Sequence, residues 1–363
     1  MNCLKYLLGI IVIFLSQTSY SYPSQSQLFG LSESMVHVWV TYGNGVTGTG
    51  SGVVIKENHV ATDCHVFADS KGVNVVKTFK KYVPIAVYAD WRNDLCILKF
   101  DDLPLPPVNM VVSKDVQYES KVFALTFPND SPIPLPSYGR VKGIHPFKDS
   151  NIIRTSAAFT VGSSGGALFD LDFNLIGITT FKSPGKRLGY FYCLPTEWIT
   201  ALLDTSPQFD LVSKNAPFWS LPDEEKPFFM QVIMPMQQED WTKLKGIAQQ
   251  WITVDSKHSD AWYFLGLAEL KMKNYAQAVE NLKQAYNLNK RHLDSLVELF
   301  NIAKAQDNQA EPFAIDLGIA MQLTNISRDV IEDKKKNRYY INENFEEIET
   351  TIKLSEKFYE SSF

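Results

Sequence analysis

At 363 residues, with 45% hydrophobic and 13% aromatic side chains, the chain carries enough apolar surface for two packed domains, which excludes a disordered protein. A formal net charge of −5 shows no basic excess of the kind that tracks a phosphate backbone, so nucleic acid is not an expected partner. Four widely scattered cysteines and no ligand-like His/Cys/Asp spacing argue against a zinc site, and neither a metal nor a cofactor is expected.

Residues 1–21 read as a signal peptide. Lys5 supplies a positive start, residues 7–15 (LLGIIVIFL) a short apolar run, and Ser19 and Ser21 the small residues of a cleavage site. The run is too short for a comfortable membrane span, and no second run of that length follows, so no stable span is expected after cleavage. Cys3 precedes the run and is misplaced for lipid attachment at a new N-terminus. The expected mature chain starts near Tyr22 in a secreted or periplasmic, oxidising location. It keeps Cys64, Cys96 and Cys193, for which one disulfide and one free thiol is the simplest arrangement; the residues alone leave the pairing open.

Residues 22–204 read as all-β, in two halves of similar size. In the first, Val36–Tyr42 has the apolar pattern of a strand, Gly43–Gly52 has turn chemistry, and strands are predicted at Val53–Ile55, Val60–Val66, Val73–Phe79, Val83–Tyr88 and Leu95–Phe100. A proline-rich bridge, Leu103–Pro107, ends this half. The second repeats the texture at Lys121–Phe127, Tyr138–Ile144 and Ile152–Phe159, then a hairpin over Ala167–Ile178 and a strand at Gly189–Leu194, before a short closing helix at residues 196–204. Short strands without long amphipathic helices between them predict antiparallel barrels rather than a parallel α/β sheet.

Residues 205–235 mix Pro207, Pro217, Pro222, Pro227 and Pro235 with Phe218, Trp219, Phe228 and Phe229. The prolines deny a long helix and the aromatics call for a packing surface, which predicts an ordered connector. Residues 236–326 turn helical. Trp262, Leu265, Gly266, Ala278, Leu282 and Ala285 fit one frame of a repeat of roughly 34 residues, and Trp241–Asp255 supplies a helix of an earlier unit. Leu293–Leu323 looks like a further, degraded pair. Residues 327–363 close the chain with a charged helix, marked by Phe345, Ile348 and Ile352, in the role of a cap.

The chemistry centres on Gly162-Ser163-Ser164-Gly165-Gly166, a serine in a glycine-bounded turn where neighbouring amides can converge on one point. Such donors serve an oxyanion, and removing one costs about 2.7–4 kcal/mol of barrier. A serine hydroxyl also needs a base and a group that orients the base. His65, ending Ala61-Thr-Asp-Cys-His65, and Asp94, opening Asp94-Leu-Cys-Ile-Leu-Lys99, are the candidates, in the order His, Asp, Ser. The other histidines, His37, His59, His145, His258 and His292, read as satisfied structural or surface residues.

These blocks, with Gly50-Ser-Gly-Val-Val-Ile55, Asn93-Asp94, Gly162–Leu168 and Tyr192-Cys-Leu-Pro195, resemble the chymotrypsin-fold serine proteases of the bacterial HtrA (DegP-like) type, over residues 35–200. The resemblance implies an all-β double barrel, followed here by an all-α, tetratricopeptide-like domain in place of a PDZ domain. It implies Ser164 as nucleophile, His65 as general base and then acid, Asp94 as the orienting carboxylate, and the N–H groups of Gly162 and Ser164 as the oxyanion hole. Because Asp94 must reach His65 in this fold, it also implies a Cys64–Cys96 disulfide, the alternative being two buried thiols. Cys193 is then the free thiol, on the strand expected to edge the substrate cleft.

Ser163 stands where this type usually has asparagine and trypsin-like enzymes an acid, so activation by an ion pair to a new N-terminal amine is not expected. Ala158 falls where trypsin has its acidic pocket residue, and Phe159, Tyr192 and Cys193 are uncharged neighbours. A small or medium apolar side chain is the expected preference. The reading is a secreted or periplasmic serine endopeptidase acting on protein or peptide substrates, whose helical repeats offer a protein partner or substrate a groove. The alternatives are an esterase with the same triad, and a catalytically silent protease-fold scaffold that binds proteins through its repeats.

Overall fold

The computed structural model of the protein describes residues 22–305 except 44, 184–188 and 209. The signal peptide, the second half of the last helical pair and the capping helix therefore lie outside the described residues. After a short helix α1 (Gln25–Ser32), seven strands follow: β1 (Met35–Thr41), β2 (Thr47–Lys56), β3 (His59–Asp63), β4 (Gly72–Lys77), β5 (Lys80–Tyr82), β6 (Ala86–Asp90) and β7 (Leu95–Lys99). They form one antiparallel sheet in the order β5-β4-β1-β2-β3-β7-β6, wrapped on a core that includes Val36, Val38, Val40, Val60, Phe67 and Leu98. The alternation of β1 explains its placement, because Val36, Val38 and Val40 are buried while Trp39 and Thr41 face outward.

Six more strands close into a barrel in the order β10-β13-β12-β11-β8-β9: β8 (Lys121–Thr126), β9 (Leu135–Phe147), β10 (Ser150–Thr155), β11 (Gly166–Phe169), β12 (Leu175–Lys182) and β13 (Phe191–Pro195). Helix α2 (Thr196–Leu203) then packs Trp198, Ile199 and Leu202 onto the β domain.

Two strand expectations are corrected. Gly43–Gly52 is not all turn: residues 47–52 extend β2, in register with Val36–Thr41. The glycines there serve close packing, since a Cβ on Gly50 would sit 2.6 Å from Val66 and 3.1 Å from the Ser164 carbonyl. The strand expected to run through Phe79 stops at Lys77, because Thr78 and Phe79 both take positive φ and turn the chain into β5.

The connector is mostly irregular, with single helical turns at Phe218–Ser220 and Asp223–Glu225 and the short helices α3 (Phe228–Gln231) and α4 (Ile233–Gln237). The boundary expected at 235/236 falls inside α4. Four helices follow, α5 (Trp241–Val254), α6 (Ser259–Lys271), α7 (Tyr275–Leu288) and α8 (Leu293–Ala305), joined by short links that fold each back on the last. Gly266 of α6 lets Leu282 of α7 approach closely. Among the described residues, no helix is long and apolar enough to cross a membrane.

The helices are not tethered loosely to the barrel. Phe229, Met230, Ile233 and Met236 share one continuous core with Tyr190, Tyr192 and Leu194 of the barrel and with Leu244, Trp251 and Phe264 of the helices. His145 of β9 stacks on Phe229, with ring centroids 4.5 Å apart, and the Tyr192 hydroxyl donates to the Phe229 carbonyl at 3.0 Å. A polar patch lies alongside: buried His292 meets buried Asp260 at 2.9 Å, and half-buried Lys142 bridges Glu119 at 2.6 Å and Asp294 at 2.8 Å. The expectation of satisfied histidines fails in this patch. Both ring nitrogens of His145 and of His258 are buried without a hydrogen-bond partner among the described residues.

Candidate active site

His65 lies on a single 3-10 turn, Cys64–Val66, directly after β3, and Asp94 lies on the turn into β7. Since β3 and β7 pair with Asp63 opposite Leu95, the two side chains are brought to one sheet end. Asp94 takes a left-handed backbone conformation, φ 61°, which an aspartate tolerates better than most residues, and its carbonyl accepts the Cys64 N–H at 3.1 Å. Cys64 and Cys96 are joined by a disulfide that ties the same two segments, and Cys193 is a free thiol.

The Asp94 carboxylate, only 1% exposed, accepts the His65 backbone N–H on Oδ1 at 2.8 Å and faces His65 Nδ1 with Oδ2 at 2.6 Å. A carboxylate can only accept, so Nδ1 carries the proton and Nε2 is left as an acceptor. Nε2 lies 3.1 Å from Ser164 Oγ. The three predicted triad residues are thus brought into one hydrogen-bonded line.

The loop before Ser164 is held from both the first sheet and the barrel. Ser51 of β2 donates its hydroxyl to the Gly162 carbonyl at 2.8 Å and its N–H to the Ser164 carbonyl at 2.8 Å. The Val161 carbonyl accepts the Asn129 N–H at 2.8 Å. Gly162 and Gly165 both require positive φ, 86° and 81°, which a side chain would strain. With these carbonyls engaged, the N–H groups of Gly162 and Ser164 donate to no protein acceptor among the described residues. Ser163 is fully buried, and its hydroxyl meets Thr126 Oγ1 at 2.9 Å. A neutral hydroxyl therefore sits where an acid would need a partner amine.

The predicted specificity residues divide. Ala158 is exposed on the segment after β10, while Phe159 and Cys193 belong to the barrel interior. Burial pushes the Cys193 thiol well above its ordinary pKa, so it is not a reactive thiolate. Tyr192 points the other way, because neighbours on a strand face opposite sides, and it packs against Phe229 and Phe181. It is not a cleft residue, and the strand end beside the triad is that of β12 rather than β13. There Thr180 donates to Asp94 Oδ2 at 3.0 Å.

Three further residues escaped the reading from sequence. Besides Thr180, the indole Nε1 of Trp219 donates to Asp94 Oδ2 at 2.9 Å. Asp63 is fully buried, with Oδ2 accepting the Gly165 N–H at 2.9 Å and lying 4.0 Å from His65 Nδ1. None had a local signal; each is a partner only because distant segments meet.

The trypsin-like peptidase domain model matches residues 50–178, a stretch that holds His65, Asp94 and Ser164. That stretch of the N-terminal half is thus similar to trypsin-like peptidase domains. Its relatives are of the HtrA type. Protease Do-like 1, chloroplastic, of Arabidopsis thaliana is 28% identical over 183 residues, covering 46% of this chain and 41% of its own. A probable periplasmic serine endoprotease DegP-like of Rickettsia prowazekii (strain Madrid E) is 28% identical over 178 residues, covering 46% of this chain and 35% of its own. The chain thus spans less than half the length of these curated relatives. Among solved structures, the active form of the Rv3671c protease from M. tuberculosis aligns with a TM-score of 0.47 at 19% identity, covering 53% of this chain and 92% of that one. A squalene/phytoene synthase model matches residues 293–345, of which α8 is the described part.

Proposed function

We propose that the protein is a serine endopeptidase that works in the periplasm or after secretion, cutting protein or peptide substrates through an acyl-enzyme. His65 Nε2 takes the Ser164 hydroxyl proton as Oγ attacks the scissile carbonyl carbon. The Gly162 and Ser164 N–H groups meet the oxyanion, and His65 then hands its proton to the leaving amine. Water, deprotonated by the same nitrogen, releases the acyl group. Asp94 orients the imidazole and stabilises its cation.

The observation that carries this reading is the line from Ser164 Oγ to His65 Nε2 at 3.1 Å and from His65 Nδ1 to Asp94 at 2.6 Å. The naming of a relative as a periplasmic serine endoprotease and the Cys64–Cys96 pairing both favour an oxidising compartment. Ala158, the exposed one of the predicted specificity residues, offers no charge to a Lys or Arg side chain, which favours a small or medium apolar residue before the cut. The helices after the connector, in the tetratricopeptide-like reading, offer a protein partner or substrate segment a groove.

Labelling of the mature protein with a fluorophosphonate probe tests the reading. The adduct should map to Ser164 alone, and Ser164→Ala should remove it while lowering peptide hydrolysis by about six orders of magnitude in kcat. A folded protein that takes no label, or a Ser164→Ala variant that still cleaves casein, would sink the assignment.

A further inference from the structure

We infer that Trp219, carried by the connector and outside the segment matched to the peptidase domain, is a positioning residue of the triad. The inference rests on the peptidase reading for its consequence in catalysis, and on geometry for the contact itself.

Asp94 Oδ2 accepts from His65 Nδ1 at 2.6 Å, Trp219 Nε1 at 2.9 Å and Thr180 Oγ1 at 3.0 Å, with Oδ1 turned to the His65 N–H at 2.8 Å. A buried carboxylate needs its lone pairs met, and hydrogen bonds to a charged group are the strong ones. An indole suits this place because it can only donate and never competes for the proton. The Trp219 ring also stands edge-on to His65, centroids 5.4 Å apart at 84°, and stacks on Phe181 at 5.7 Å, so it covers part of the imidazole from water.

The indole is placed by the connector, not by the β domain alone. Its neighbour Phe218 is buried, donates its N–H to the Arg92 carbonyl at 2.9 Å, and packs on Phe147 at 5.0 Å and Trp198 at 6.4 Å. Ser220 N–H closes the turn onto the Pro217 carbonyl at 2.9 Å. The path onward to Phe229 leads into the core shared with the helices. The base and its orienting acid are therefore completed by a connector segment that docks on the β domain and leads on to the helices.

Trp219→Phe in the full chain keeps the ring and removes the donor. With one bond fewer, the Asp94 anion holds the imidazolium more tightly, so the His65 titration should move to higher pH. Nitrogen NMR of the His65 ring should read that shift, and because the carboxylate loses a bond that fixes its own orientation and that of the imidazole, kcat should fall about 10- to 100-fold with KM little changed. An unmoved His65 titration in a folded Trp219→Phe protein overturns the inference, whether or not the wild type takes the fluorophosphonate label. A moved titration in a protein that takes no label would keep the contact and sink the peptidase reading instead. If the variant does not fold, the wild-type indole spectrum decides: a Trp219 N–H that exchanges slowly and shifts as His65 titrates supports the bond, and a fast-exchanging, indifferent one overturns it.

Discussion

Two buried carboxylates, Asp63 and Asp94, share the surroundings of His65, and their environments push them to different states. Asp94 receives its full set of donors. Asp63 has only the Gly165 N–H on Oδ2, while its Oδ1 has no partner among the described residues. Burial first, and then the Asp94 carboxylate, raise the Asp63 carboxyl well above its ordinary range, and the Gly165 bond offsets this only in part. Burial and the neighbouring carboxylate thus favour the neutral form of Asp63. An amide can replace a neutral acid. Asp63→Asn should keep kcat/KM within about threefold at neutral pH, a change below 1 kcal/mol. A raised folded pKa contributes stability that is complete below the unfolded value and lost as pH rises through the folded one. Thermal unfolding at pH 5 and pH 8 should therefore show Asp63→Asn gaining on the wild type at the higher pH; a constant difference would mean that Asp63 is ionised throughout.

At the scale of elements, β3 and β7 lead into the base and the orienting acid, and their pairing brings those residues to one sheet end. The disulfide adds a covalent tie between residues 32 apart in the sequence. Its main effect is on the unfolded chain, which loses freedom when closed into a loop. Replacing both cysteines by serine should lower stability by about 2–4 kcal/mol in denaturant titrations, with little change in the fluorophosphonate reaction while the protein stays folded. Abolished labelling in a folded double variant would show that the bond shapes the site rather than merely securing it.

Across the whole molecule, the barrel and the helices are joined by apolar packing around Phe229 with a charged patch at its side. Burial lowers the His145 and His258 rings, the nearby Asp260 charge opposing it, so both are neutral in the fold. Burial works to raise the Asp260 carboxyl, but the hydrogen bond from His292 and the Arg154 charge outweigh it and hold Asp260 well below the usual carboxylate range. A histidine with a depressed folded pKa contributes stability that is present above its unfolded value, about 6.5, and lost as pH falls below it. The helical part should therefore loosen from the barrel in mild acid, read as limited proteolysis within residues 205–240 between pH 7.5 and 5. Asp63 works in the opposite sense over this range, so the comparison that isolates the effect is His145→Phe, which keeps the stack on Phe229 and should flatten the acid loss. Equal acid sensitivity in the two proteins would place the weak point elsewhere.

His65, Asp94 and Ser164 were legible as a set because each sits in a short local pattern, a strand end or a glycine-bounded turn, that the fold needs at that place. The β1 alternation and the change to a helical period near residue 240 were legible for the same reason: burial on one face writes a period into the chain. The turn at Thr78–Phe79 was not, since neither residue is of the type that usually marks positive φ. Which way Tyr192 faces, what Asp63 titrates against and which indole reaches Asp94 were decided only by the tertiary structure. Trp219 read as one aromatic among several in a proline-rich connector, and its partner lies 125 residues away. The sequence by itself determined the chemistry-bearing groups and the elements that hold them. Side-chain direction, protonation and the bond from the connector to the triad depend on contacts between distant segments, which leave no local period to read.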